Sequence, residues 1–337
     1  MGKYFGNLPL LITKGEIMEV CDFLQNHPGF SARKANSQDK LREIRANIAR
    51  FPRLNNPDLL VFAAGSLGRF EFGNNSDLDL FLVHKGEPEV LAELLKLRIL
   101  GDAIELNESL SLPEFSNDAR FLKIYSASDL VTTTGNPIDD SENFFTVRML
   151  LILESQWLGN EELYSEITES VLRHYLRDSV GKKEFRPLFL LNDLLRFWRT
   201  LCLNYEHRRN DQTKPWRKKN VNLKFGRMLT VFATVLCLAT RKISSVEDFS
   251  EMLNCVPMER LSIALKELDD NSLSSRFEQV VDNYESFLAW KELDQSDEKL
   301  AMLRDEVDEK AKQFSVFLHD ALMHSSISSD FRRYLVL

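Results

Sequence analysis

The stretch LLVFAAGSLGRFEFGNNSDLDLFLVH, from Leu59 to His84, constrains this chain more than any other. Its two apolar runs, Leu59–Ala64 and Leu80–Val83, read as adjacent buried strands. Between them lie Gly65-Ser66, a short polar turn or helix with Arg69 and Glu71, and then Ser76-Asp77-Leu78-Asp79. Alternate residues of a strand share a face, so Asp77 and Asp79 project together while Leu78 and Leu80 go to the other side. Their α carbons then stand about 7 Å apart, close enough for the carboxylates to converge on metal ions spaced roughly 3.5–4 Å from each other. Two adjacent carboxylates repel unless a cation fills the gap. Hard oxygen ligands open to substrate phosphates suit Mg²⁺ or Mn²⁺ better than zinc. Where the first strand gives way to a turn, Gly65-Ser66 offers backbone N–H groups and a hydroxyl to a phosphate.

Each piece alone has an ordinary reading: an Asp-x-Asp is a solvated strand end, and a Gly-Ser pair is a turn. The ordered set of Gly-Ser, Gly-Arg-x-Glu and Ser-Asp-x-Asp beside buried strands is far more specific. GSLGRFEFGNNSDLDLFLV resembles the signature of the DNA polymerase β-type nucleotidyltransferase superfamily. The Arg-x-Glu spacing is most similar to the branch with the adenylyl- and uridylyltransferases of the glutamine-synthetase cascade and their bacterial relatives. The chain also resembles, more distantly, the nucleotidyltransferase component of Hailong-type bacterial anti-phage systems. The likeness spans roughly Val61–Val83 and thins beyond it.

The resemblance implies metal-dependent transfer of a nucleoside monophosphate from a nucleoside triphosphate such as ATP, with release of pyrophosphate. Asp77 and Asp79 would hold Mg²⁺ or Mn²⁺, Gly65 and Ser66 would cradle the β,γ-phosphates, and Arg69 and Glu71 would brace the loop. Members normally add a third carboxylate from a later strand, here within Ile104–Tyr125. Glu114, in SLPEFSN, is the first choice, with Asp118 and Glu105 open. The expected fold is α+β: a small mixed-sheet nucleotidyltransferase core over residues 1–140, a helical bundle over 141–325, and a tail over 326–337.

Composition sets wide limits. The 337 residues are 44% apolar and 28% charged, ordinary for a soluble globular chain with ample core. No signal peptide is visible, and the apolar stretch near Leu229–Ala239 is too short to span a bilayer, so a cytoplasmic protein is expected. Cys21, Cys202, Cys237 and Cys255 lack metal-ligand spacing and read as reduced core thiols. A net charge of −8 argues against a wholesale nucleic-acid coat.

Along the chain, Ser37 is expected to cap a helix bearing Leu41, Ile44, Ile48 and Phe51, ended by Pro52 and Pro57. Residues 89–100 read as a helix with Val90, Leu94, Leu97 and Leu100 inward. His84 reads as structural. Asp139-Asp140 reads as a helix N-terminus carrying favourable charge rather than a second metal site. Beyond Asn143 the pattern is helical, with no further strand.

The bundle carries a basic stripe. Between Arg196 and Arg227 lie ten Lys or Arg residues against two acids. A helix around 188–205 buries Leu188, Leu191, Leu195, Trp198 and Cys202 beside a stripe of Asn192, Arg196 and Arg199. A helix around 216–240 buries Val221, Phe225, Met228, Phe232 and Val235 beside Arg217, Asn220, Lys224 and Arg227. Arg208-Arg209 and Lys218-Lys219 read as solvated. The spacing shows only the stripes; the resemblance, whose members pair the sheet with a helical domain, implies that Arg196, Arg199, Lys224 and Arg227 face the catalytic loop across a cleft and neutralise the triphosphate or a polyanionic acceptor, with Asn192 and Tyr205 touching sugar or base.

At the C-terminus, Phe331 and Leu335 dock the tail, and Tyr334 is a candidate acceptor hydroxyl. The expected partners are a nucleoside triphosphate and a macromolecular acceptor, a protein or a nucleic-acid end, in bacterial defence or regulation. A homodimer fits if Tyr334 reaches a neighbouring site; no membrane partner is expected. Two alternatives stand: template-independent synthesis of a nucleotide oligomer, primed by Tyr334, and an inactive nucleotide-binding sensor.

Overall fold

The computed structural model describes residues 27–336 except 88, 90, 116–118, 120–121, 180–181, 183–184, 210–215, 244 and 294–295. Helix α1 (Pro28–Ile48) leads into strand β1 (Leu59–Ala64), the single turn α2 (Gly65–Gly68) and strand β2 (Asp79–His84). Strands β1 and β2 pair antiparallel, Ala64 opposite Asp79 and Leu59 opposite His84. Helix α3 (Glu93–Ser109) precedes β3 (Ile124–Ser126), which adds parallel to β2. The short helices α4 (Asp129–Thr132) and α5 (Pro137–Ser141) lead to α6 (Phe144–Leu153). Strand β4 (Gln156–Gly159) then completes a mixed sheet of order β3-β2-β1-β4.

That last strand corrects the expectation of none beyond Asn143. Only four residues long, it carries no alternating pattern and joins β1 across a register irregularity at Val61/Phe62. The sheet therefore draws an edge from past residue 140.

The remaining helices are α7 (Glu161–Tyr175), α8 (Leu188–Arg209), α9 (Trp216–Asn222), α10 (Met228–Thr240), α11 (Val246–Asn254), α12 (Pro257–Leu268), α13 (Asn271–Trp290), α14 (Ser296–Met302), α15 (Arg304–Leu322) and α16 (Ser329–Tyr334). Residues Leu223–Arg227 form a π-helical turn joining α9 to α10. The run Trp216–Thr240 is long and apolar enough to cross a membrane by length and composition, yet most of its apolar stretch is buried within the protein.

Period-two alternation divides the sheet's faces. Leu59, Val61, Ala63, Leu78, Leu80 and Leu82 pack with Leu41, Ile44 and Ile48 of α1 and Ile99, Ala103 and Leu106 of α3. Leu60, Phe62, Ala64, Phe81 and Val83 join the core that continues through α6, α7, α10 and α13. The chain is thus a mixed α+β protein whose sheet is one wall of the helical core.

Three local expectations shift. Helix α1 starts at Pro28, so Ser37 is no cap; its hydroxyl donates to the Arg33 carbonyl at 2.7 Å inside the helix. Helix α3 buries Ile99, Ala103 and Leu106, while Leu94 and Leu97 face solvent. Helix α8 buries Leu190, Leu191, Leu194 and Phe197, leaving Leu188, Leu195, Trp198 and Cys202 half-buried. Tertiary packing, which periodicity alone cannot see, rotated these helices.

Candidate functional site

Asp79 opens β2 on the face shared by Phe62 and Phe81, the face turned toward the helices. Its cross-strand partner is Ala64, so its carboxylate lies against Gly65. A Cβ at Gly65 would sit 2.2 Å from Asp79 Oδ2, and Gly65 has a φ of +67°. Both the close approach and the left-handed backbone require glycine there. Asp77, half-buried just ahead of the strand, is near enough to repel Asp79. Burial first, then Asp77, pushes the Asp79 carboxyl up to about 6, against the opposing pull of Arg227 and Lys219. Among the described residues no hydrogen bond or close ion pair reaches either carboxylate.

The loop between Gly65 and Asp77 is fixed by a buried ionic network. Arg69 Nε donates to Glu71 Oε2 at 2.9 Å, and Arg69 Nη1 donates to Glu154 Oε2 at 2.5 Å. Glu154 ends α6 and also binds Arg227 and the Thr230 hydroxyl, the latter at 3.2 Å. Burial alone would raise the Glu154 carboxyl; Arg227 and Arg69 overcome it and hold it below its ordinary value. The Tyr284 hydroxyl of α13 donates to Glu71 Oε1. Gly68 lets the turn rest on this corner, since a Cβ there would lie 1.9 Å from the Glu154 carbonyl oxygen.

The loop's far half is clamped as well. Arg33 of α1 donates to the Glu71 carbonyl at 3.1 Å and pairs with Glu292 at 2.7 Å. Asn36 Nδ2 donates to the Phe72 carbonyl at 2.9 Å, and the Phe72 N–H donates to the Ser37 hydroxyl at 3.0 Å. Ser76 accepts from the Gly73 N–H at 3.0 Å, closing the turn before Asp77. Phe70, at φ 57°, holds a left-handed conformation that costs a bulky side chain energy and persists only where its surroundings over-determine it. Behind it a cavity of about 320 Å³ lies between α1 and α12, walled by Phe30, Lys34, Phe70, Glu71, Met258 and Glu259.

The structure gathers some of the expected residues and disperses others. Gly65, Ser66, Arg69, Glu71, Asp77, Asp79 and Arg227 come together. Arg196 does not: it pairs with Asp140 at 2.7 Å and with Asp139 and Asp193, beside the fully buried Arg148. Asp139 and Asp140 do sit in the first turn of a helix, capped by Asn136. Arg199 and Asn192 are exposed on α8. Lys224 is occupied by Asp308 of α15 at 2.6 Å. Glu114 is exposed on an irregular loop rather than a strand and is absent from the groups acting most strongly on Asp79. Asp118 lies outside the described residues, as does Cys21, and Glu105 is exposed on α3. Tyr334 is 45% exposed on α16, with Phe331 buried and Leu335 packed on the core. His84 is buried and accepts from the Gly86 N–H, a structural role.

Sequence reasoning missed Glu154, Lys219 and Tyr284. An acid and a threonine (Glu154, Thr230) inside otherwise apolar runs were the available signals, since such groups are buried only with partners. A second cluster, His27 with Asp282 and Glu285, has its ligand atoms within 4.8 Å of one another. Glu285 there already accepts the Gly29 N–H at 2.7 Å and the Phe30 N–H at 3.4 Å, anchoring the start of α1. No protein-family model matches this chain, and no curated protein is significantly similar to it.

Proposed function

We propose that this chain is a divalent-metal-dependent nucleotidyltransferase that moves a nucleoside monophosphate from a nucleoside triphosphate to an acceptor hydroxyl. One observation carries the reading: two carboxylates crowd each other against a glycine bend, with no hydrogen-bond donor on either among the described residues and Asp79 raised to about 6. Such a pair is poised for a cation, and its all-oxygen donor set fits Mg²⁺ or Mn²⁺. Asp77 and Asp79 would hold the ion, which when bound supplies charge neutralisation at the transferring phosphoryl group.

The chain's own residues supply the rest. Arg227 and Lys219 bring positive charge toward Asp79 and would meet the triphosphate there. The Arg69–Glu71–Glu154 network keeps the loop still, so that little reorganisation is needed on binding. The acceptor oxygen attacks the α-phosphorus, its proton passes to solvent, the bond to the bridging oxygen breaks, and pyrophosphate leaves.

The acceptor is a protein hydroxyl or a nucleic-acid end, and Tyr334 is exposed enough to serve. A nucleotide-binding module without turnover is the second reading. It is favoured by Glu154, a buried acid that acts on Asp79, being already neutralised by two arginines.

Incubation with each α-labelled nucleoside triphosphate and Mg²⁺ or Mn²⁺, then a denaturing gel with and without nuclease, separates these outcomes. Label on protein that survives nuclease is single-nucleotide transfer; a nuclease-sensitive ladder is polymerisation. Asp77→Ala with Asp79→Ala should lower transfer at least ~100-fold with the fold retained. Full activity of that double variant, or no turnover with any nucleotide, contradicts the transferase.

A further inference from the structure

Helix α3 is two-faced in an unusual way. Ile99, Ala103 and Leu106 bury one side beneath the sheet. At about 100° per residue, Leu94, Leu97, Gly101 and Ile104 fall on one stripe diametrically opposite. That stripe is open among the described residues: Leu94 is 68% exposed, Leu97 64% and Ile104 42%, and none of those residues lies within 4 Å of a Cβ built on Gly101. Its spacing of i, i+3, i+7, i+10 is the seam of a helix awaiting a second helix.

The charges along one flank say which helix. Arg98 lies three residues before Gly101 and Glu105 four after it, both exposed. Toward its C-terminus α3 carries Glu105 and Glu108 and has no basic residue in its last turn, which opposes its own dipole. An antiparallel neighbour with the same sequence covers the stripe and lays Arg98 of each copy beside Glu105 of the other, twice by symmetry, with Glu93 and Glu108 at the two ends of the seam.

We propose that α3 pairs with α3 of a second copy of this chain, antiparallel about a two-fold axis at Gly101. Leu97 of each copy packs toward Ile104 of the other, and Gly101 lets the two backbones approach. With a rise of about 1.5 Å per residue, Arg98 and Glu105 lie about 4.5 and 6 Å either side of the axis, so they meet in register. Helix α3 covers the sheet face opposite Asp79, so the pairing leaves that site open and does not depend on its chemistry. One exposed helix face is small for an obligate interface, so the dimer should dissociate on dilution.

Sedimentation velocity of the full chain from about 1 to about 100 µM tests this. The wild type should pass from monomer to dimer across that range. Leu97→Glu, a change on an exposed side chain, should stay monomeric with an unaltered circular dichroism spectrum. Arg98→Glu or Glu105→Arg alone should weaken association about tenfold, and the two together should restore it. A monomer at every concentration, a dimer indifferent to Leu97→Glu, or a double reversal no tighter than either single change overturns the proposal.

Discussion

At the scale of single residues, Asp79 carries the account. Its carboxyl is raised to about 6, above the ordinary value, so the folded chain binds that proton more tightly than the unfolded chain. The resulting stability is complete below about pH 4 and is lost as pH rises through 6, with a magnitude on the order of 2–3 kcal/mol. Asp79→Asn should therefore raise the melting temperature of the metal-free protein at pH 7.5 and flatten its dependence on pH between 4 and 7. Thermal scans of both proteins across that range check this; an unchanged pH slope in the variant would contradict the assigned environment. The acid pair was legible from the Asp-x-Asp spacing, although only Asp79 lies within β2 and Asp77 stands just ahead of it. A third acid is not legible in the same way: Glu114, expected at the end of a short strand, is exposed on a loop.

At the scale of elements, the loop from Arg69 to Ser76 owes its shape to two distant helices rather than to itself. Arg33 of α1 reaches the Glu71 and Leu288 carbonyls and Glu292, while Tyr284 of α13 reaches Glu71. Arg33→Ala removes several of these contacts at once and leaves Asp77 and Asp79 untouched. Amide hydrogen exchange should accelerate at least ~10-fold over residues 71–76 with little change in β1. Uniform exchange would mean the loop is self-supporting.

The basic stripe illustrates what sequence withholds at this scale. Helical spacing placed Lys224 and Arg227 on one face, yet the π-helical turn at Leu223–Arg227 interrupts that spacing. Arg227 reaches Glu154, whereas Lys224 turns to Asp308. Of the acids that hold Arg196, Asp139 and its neighbour Asp140 are distant in sequence, Asp139 by 57 residues, and escape a local reading, whereas Asp193 is three residues away.

At the scale of the whole molecule, sheet and bundle share one hydrophobic core. Strand β4 comes from beyond residue 140, and the core that buries Phe62 and Phe81 is supplied by α6, α7 and helices further on. A fragment of residues 1–143 should thus fail to fold, with poorly dispersed amide resonances. A well-dispersed spectrum would support the boundary expected from the turn-rich loop at Gly135–Asn143. That loop resembles a linker in composition, and composition does not reveal that a later four-residue strand returns to the sheet.

Manganese binding followed by electron paramagnetic resonance, with a non-hydrolysable nucleoside triphosphate analogue present, tests the acid pair without requiring the acceptor. The wild type should immobilise Mn²⁺, and Asp77→Asn with Asp79→Asn should weaken that binding at least ~100-fold while the protein stays folded. Equal Mn²⁺ binding by the double variant would place the ion elsewhere and contradict the assignment of Asp77 and Asp79.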